Sequence, residues 1–297
     1  MIRRKQSRIA PAAVAPRRAP PTGAPTRRYH PSPLFVGSLE KGLRVLHAFD
    51  AARRPMRLAE IGLASDLDKS AAQRFTATLE RLGYLRKDEF KRYRLTPKVL
   101  QLGFAFLQSE TSIDTVVPFL QEAHAACEES VNFTQLDDLD VVWVVRLPSL
   151  HVVSVDMSVG ARLPAYCTAP GRAILAHLPE EQALEILKRS TRARLTPYTK
   201  TAISDIVAEL AAARRDGVAV SDQECFVGDL SSAAPVFDGA GQVIGAANIA
   251  VPTSRWTLDQ VRGRLSPLIA KTAAAISAAH GVRAKKIVRL GGQAAGD

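Results

Sequence analysis

The sequence predicts an α+β protein: an N-terminal winged helix-turn-helix domain, then a linker helix, then a larger domain with an antiparallel sheet. Three observations carry this expectation. The excess of positive charge is confined to the first third of the chain. Residues 38–95 read helix, helix, turn, helix, hairpin. Beyond residue 115, helices alternate with paired apolar strands.

The charge asymmetry is large. Of the net +11, residues 1–37 supply eight Arg or Lys and no acid, and residues 38–95 supply 13 basic against 8 acidic side chains. Residues 96–297 hold 19 basic and 21 acidic side chains. A basic end attached to a near-neutral remainder is the footprint of a nucleic-acid-binding head.

Each element follows from its local pattern. Residues 1–37 mix arginines with prolines and few large apolar side chains, which predicts a disordered basic arm. From Ser38, "SLEKGLRVLHAFD" sets Leu39, Leu43, Leu46 and Phe49 on one helical stripe. A second helix over about 58–65 is expected to bury Leu58, Ile61 and Leu63. Asp68 is the cap of a third helix, with Ala72, Phe75, Leu79 and Leu82 as its core stripe and Gly83 as its end. Tyr84, Leu85, Tyr93 and Leu95 then flank a tight charged turn, the mark of a hairpin.

With that stripe inward, the opposite face of the third helix carries Lys69, Ser70, Gln73 and Arg74. These are side-chain types that meet base edges and phosphates. The hairpin adds Arg86, Lys87, Lys91, Arg92 and Arg94. A charged helix face alone is commonly a solvated face; beside a basic wing and a basic arm, double-stranded DNA is the expected partner.

Thr96–Pro97 opens a helix apolar on more than one side (Val99, Leu100, Leu102, Phe104, Phe106, Leu107), read as a linker that also packs in a homodimer or tetramer. An ordinary core helix is the competing reading. The division expected is 1–37 arm, 38–95 winged helix-turn-helix, 96–114 linker helix, 115–282 second domain and 283–297 basic tail.

In the second domain, "VNFTQLDDLDVVWVVRLPSLHVVSVDM" predicts strands joined by an Asp-rich hairpin. Helices are expected over 170–177, 180–188 and 203–214, strands near 231–237 and 243–251, and a closing amphipathic helix from Thr257 to about His280. "GAGQVIG" has the glycine density of a phosphate loop. Its glycines, however, sit between two strands, so Gly239 and Gly241 are read as turn residues.

Several function classes are disfavoured. No apolar run is long enough to span a bilayer, and the basic N-terminus lacks the apolar segment of a secretory signal. Cys127, Cys167 and Cys225 are too scattered for a disulfide framework or zinc site, and the six histidines show no ligand spacing. No cofactor, no metal and no membrane partner are expected, and a cytoplasmic location fits. Cys167 is a conceivable nucleophile, but nothing local marks a base for it, so catalysis is the weaker alternative.

The segments "SLEKGLRVLHAF", "LAEIGLASDLDKSAAQRFTATLERLGYL" and "YRLTPKVLQLG" together resemble the DNA-binding half of the IclR-type bacterial transcriptional regulators. The likeness includes the Lys-Ser start of the recognition helix, Arg74, and the Leu-x-x-Leu-Gly-Tyr-Leu exit, and it extends over roughly 38–280. "DLDKS" departs from the usual Gly-Leu-Pro-Lys-Ser, placing Asp66 and Asp68 near the DNA end of the helix.

The resemblance implies that the second domain is a GAF-like effector-binding domain. By motif, its ligand would be lined by Tyr166, Cys167, Thr168 and Ala169 from "AYCTAPGRAILA", Asp222 and Glu224 from "SDQECFVGDL", Ser231, and Asn248 from "ANIAV". Arg146 or Arg162 is able to pair with an acid, though a structural ion pair is the plainer reading for each. "SLEKG", "SVGARLPAYCTAPGRAILA" and "AANIAV" resemble most the regulators of aromatic-acid catabolism, the β-ketoadipate pathway, which respond to protocatechuate, 4-hydroxybenzoate or β-ketoadipate. The function implied is a DNA-binding regulator sensing a small, acidic, aromatic effector. An enzyme acting on a small acid, or a ligand-independent regulator, are the alternatives.

Overall fold

The computed structural model describes residues 33–52, 54–109, 111–151 and 157–281. Most of the expected arm, the 283–297 tail and the strand expected through Val152–Asp156 lie outside them. The described chain divides into two compact units. One holds residues up to Phe119 together with Ala278–Gly281, and the other holds Leu120–Ser277.

The first unit contains α1 (Gly37–Ala52), β1 (Met56–Arg57), α2 (Leu58–Ala64), α3 (Lys69–Arg81), β2 (Leu85–Lys87), β3 (Arg92–Leu95), α4 (Leu100–Ser109) and the start of α5 (Thr111–Cys127). The hairpin β2–β3 forms as expected. Its third strand, β1, was not anticipated: Met56 pairs with Tyr93 and Arg57 with Arg92, giving the order β1-β3-β2. Two residues are too few to show a strand period.

The core of this unit gathers Val45, Phe49, Met56, Ile61, Leu79, Leu85 and Tyr93. That corrects the stripe read for α1. Val45, Ala48 and Phe49 are buried, Leu46 packs beside them, and Leu39 and Leu43 are exposed at 64% and 45%. Leu63 and Leu82 are also exposed, while Thr76 is buried with Ala72 and Leu79 on α3. Apolarity therefore marked the right helices but not always the right face.

The second unit is one six-stranded antiparallel sheet. Its strands are β4 (Ser130–Asp137), β5 (Asp140–Leu147), β6 (Arg162–Pro164), β7 (Ala219–Asp222), β8 (Asp229–Phe237) and β9 (Val243–Pro252), in the order β6-β5-β4-β9-β8-β7. The hairpins β4–β5 and β8–β9 stand where the sequence put them, and the short edge strands β6 and β7 were missed. The helices α6 (Ala169–Leu175), α7 (Glu180–Arg189) and α8 (Ile203–Asp216) match expectation. The closing helix starts at the Thr257 cap with α9 (Leu258–Gln260), passes through a π turn at Val261–Leu265, and continues as α10 (Ser266–Ala279).

A buried ion pair fixes α6. Arg172, fully buried, gives both terminal nitrogens to Glu224 at 2.6 Å and its Nε to the Tyr166 carbonyl at 2.9 Å. Gly171 is required at the same place, because a Cβ there would meet Ala165 O at 2.2 Å. The helix start and the Tyr166–Ala169 loop are thereby pressed onto the sheet.

Candidate functional site

Two sites emerge, one on each unit. On the first, the Asp68 carboxylate accepts the Ala71 amide at 2.8 Å, capping α3. One of the two acids near the DNA end is thus consumed by the helix itself. The other, Asp66, stands in the left-handed region (φ 52°) and lies 3.7 Å from Arg44. With Ala72, Thr76 and Leu79 inward, Lys69, Ser70, Gln73 and Arg74 are all exposed on the opposite face of α3.

The wing turn is built on Asp88. Its Oδ1 accepts the amides of Phe90 and Arg92 at 3.0 and 2.9 Å, and its Oδ2 accepts Arg92 Nε at 2.9 Å. The Arg92 guanidinium also stacks over the Phe90 ring at 5.0 Å. Arg92 is therefore a half-buried strut of the turn, in contrast to the freely presented wing cation expected of it. Arg86, Lys87, Lys91 and Arg94 are exposed. Lys91 occupies the left-handed region at φ 59°, which lets the turn close.

On the second unit, a cavity opens over the middle of the sheet. Its floor is polar: Ser130 and Asn132 from β4, Arg146 from β5, Asp229 and Ser231 from β8, and Asn248 from β9. Its walls are apolar, with Trp143, Leu163, Met157, Pro170 and Phe226. An apolar wall over a few convergent polar groups is the usual build of a small-molecule site.

Of the eight residues expected to line an effector site, the structure brings four to this cavity: Thr168, Ala169, Ser231 and Asn248. The other four are placed elsewhere. Tyr166 is buried, and its hydroxyl donates to Ala193 O at 2.5 Å. Cys167 lies beneath the wall with its sulfur 3.2 Å from that of Cys225, which does line the cavity. Asp222 is exposed on β7, and Glu224 is committed to Arg172. Arg162 makes the structural pair foreseen for it, 2.5 Å from Asp137 and 3.3 Å from Asp140. Arg146 lines the cavity.

The polar floor is under-satisfied. Asn132 Oδ1 accepts Arg146 Nη1 at 3.3 Å, and Asn248 Nδ2 donates to Ser231 Oγ at 3.2 Å. Asn132 Nδ2, Asn248 Oδ1 and Asp229 Oδ1 are buried with no hydrogen-bond partner among the described residues. Burial pushes the Asp229 carboxyl up to about 8, against the opposing pull of Arg146. At neutral pH Asp229 is thus mainly protonated.

One end of this floor is braced by Glu129, immediately before β4. Its carboxylate takes Arg255 at 2.7 and 3.0 Å and Trp256 Nε1 at 2.8 Å. Burial raises the carboxyl, but the bonds from Arg255, Trp256 and Ser149 outweigh it and hold it below the ordinary range. Asn132, Asp229 and Glu129 escaped the sequence reading because an Asn or Asp in a strand looks the same whether it faces solvent or a cavity.

Among the described residues no group of His, Cys, Asp or Glu is arranged to hold a metal, and no helix is long and apolar enough to cross a membrane. The thiol of Cys225 is pushed well up by its hydrogen bond with Cys167 and by burial, which disfavours the thiolate a nucleophile needs.

Comparison with known proteins covers both units. Residues 38–89 match the IclR helix-turn-helix domain, and residues 104–278 match the bacterial transcriptional regulator IclR C-terminal domain. The chain is 34% identical over 267 residues to the Pca regulon regulatory protein of Pseudomonas putida, covering 89% of this chain and 90% of that one. It is 31% identical to the p-hydroxybenzoate hydroxylase transcriptional activator of Acinetobacter baylyi, covering 80% of this chain and 90% of that one. A crystal structure of a transcriptional regulator from Rhodococcus sp. RHA1 superposes with a TM-score of 0.72 at 36% identity, covering 82% of this chain and 98% of that one.

Proposed function

The chain belongs to the IclR family of bacterial transcriptional regulators, DNA-binding proteins and not enzymes, and from that premise we propose that it governs the breakdown of aromatic acids. In this reading Lys69, Ser70, Gln73 and Arg74 enter a major groove, while Arg86, Lys87, Lys91 and Arg94 grip the backbone. An aromatic carboxylic acid would occupy the cavity over the sheet, its ring against Trp143 and Leu163 and its carboxylate on Arg146. Relatives named for the Pca regulon and for p-hydroxybenzoate hydroxylase support that ligand class.

The observation that carries the reading is the unsatisfied polar floor beneath apolar walls, with one cation, Arg146, facing in. A homodimer or a tetramer fits the exposed Leu39 and Leu43 of α1 and Leu100, Leu102 and Phe104 of α4, and a cytoplasmic location fits a DNA-binding regulator. Helix-turn-helix proteins pair to read two half-sites. Effector binding then needs a coupling of only about 1–3 kcal/mol to change DNA affinity several-fold to about a hundredfold.

The test is a thermal-shift titration against aromatic acids, keto acids and dicarboxylates. A ligand at about 100 times its Kd stabilises the native state by about 2.7 kcal/mol. A saturable shift with aromatic acids is expected. No shift with any of them would overturn the aromatic-acid reading in favour of a ligand-independent regulator.

A further inference from the structure

Asn132 and Asn248 are directly opposed across β4 and β9, so both side chains rise from the same face of the sheet into the cavity. Side chains so placed have Cβ atoms about 4.5–5.5 Å apart. Both residues are essentially fully buried. The orientation of the Asn132 amide is fixed by its neighbour, because a guanidinium can only donate, and Arg146 Nη1 therefore meets the oxygen. The Asn132 amide nitrogen is left as a donor without an acceptor, and across from it Asn248 Oδ1 is an acceptor without a donor.

We propose that this asparagine pair reads a hydroxyl group of the effector, so that the cavity selects a hydroxylated acid over keto, methoxy or unsubstituted counterparts. The inference rests on the effector reading given above. A hydroxyl accepts from Asn132 Nδ2 and donates to Asn248 Oδ1 with one oxygen, which satisfies both buried groups. A ketone, an ether or a second carboxylate offers acceptors alone and sets one of them against the Asn248 oxygen. An ammonium offers donors alone and would share the floor with Arg146. Leaving buried polar groups unpaired is costly, and sites built to bond a hydroxyl reject analogues that lack it. Among the three effectors that the family resemblance brings forward, the pair favours the two phenols over the keto dicarboxylate.

The experiment is calorimetric titration of the full chain at pH 7 with 4-hydroxybenzoate, 3,4-dihydroxybenzoate, benzoate and 4-methoxybenzoate. The hydroxylated acids are expected to bind about 10- to 100-fold more tightly than the other two. In Asn248→Leu that preference collapses through weaker binding of the hydroxylated acids. Equal binding of benzoate and 4-hydroxybenzoate by the unaltered chain overturns the hydroxyl reading alone, as does a preference that survives Asn248→Leu. Should the variant fail to fold, the ratio in the unaltered chain decides. Failure of all four acids to bind brings down the effector reading itself, and this inference with it.

Discussion

The two sites are made in opposite ways. The proposed DNA face is local: Lys69, Ser70, Gln73 and Arg74 lie within six consecutive positions of one helix, all exposed and backed by Ala72, Thr76 and Leu79. The proposed effector cavity is assembled from β4, β5, β8 and β9 and the loop before α6, and three of its buried polar atoms have no partner among the described residues. A surface that must meet a polyanion needs only charge and a rigid helix beneath it. A pocket that must tell one small acid from another needs polar groups held in low dielectric, where each unmade bond costs free energy.

That contrast can be broken at its strongest point first. Glu224→Gln removes the bidentate partner of fully buried Arg172, leaving Glu209 at 3.9 Å, and should destabilise the second unit by about 3–5 kcal/mol in a denaturant titration, while the helical signal of the first unit persists. An effect below about 1 kcal/mol would mean that the pair does not hold α6 against the sheet.

Arg74→Glu addresses the other site. An exposed side chain on a capped helix can be reversed without unfolding, so the melting curve should hold while affinity for operator DNA falls by about 100-fold. Intact binding would remove α3 from the major groove. Binding by the unaltered chain should also fall steeply with salt, as released counterions require.

Protonation of Asp229 sharpens the comparison. Its folded pKa is raised to about 8, so the neutral form is favoured by folding, and the stability it lends is lost as pH rises toward 8. Ionised Asp229 would compete with an effector carboxylate for Arg146. Effector affinity should therefore fall above pH 8, by about tenfold per pH unit if only the neutral form binds. Asp229→Asn should flatten that fall and raise the melting temperature progressively between about pH 4 and 8. A profile unchanged by the substitution would show that another group titrates; among the described residues, Arg146 and Cys225 are the other titratable side chains lining the cavity.

The smallest expected effect is at the cap. Asp68→Ala deletes the bond to the Ala71 amide and should cost the first unit about 1 kcal/mol. It also removes a negative charge from the DNA end of α3, so the stability lost should be accompanied by slightly tighter DNA binding.

The sequence alone determined the winged helix-turn-helix order, the Asp68 cap, the Gly83 stop, the exposed face of α3 and both long hairpins of the sheet. These are consequences of short-range rules: helical and strand periods, capping chemistry, turn residues. It also exposed the family, through motifs spread along most of the chain. Short-range rules could not choose between adjacent stripes of α1, where Val45 and Ala48 are inside and Leu39 is outside, because both stripes are apolar. They could not show two-residue β1, which exists only by pairing with β3. Nor could they separate Glu224 from Asn132. Tertiary structure gave Glu224 to Arg172 and left Asn132 and Asn248 facing each other across two strands more than a hundred residues apart. Which polar groups find partners is settled by packing across the sheet, and that distance along the chain hides the pairing from any local reading.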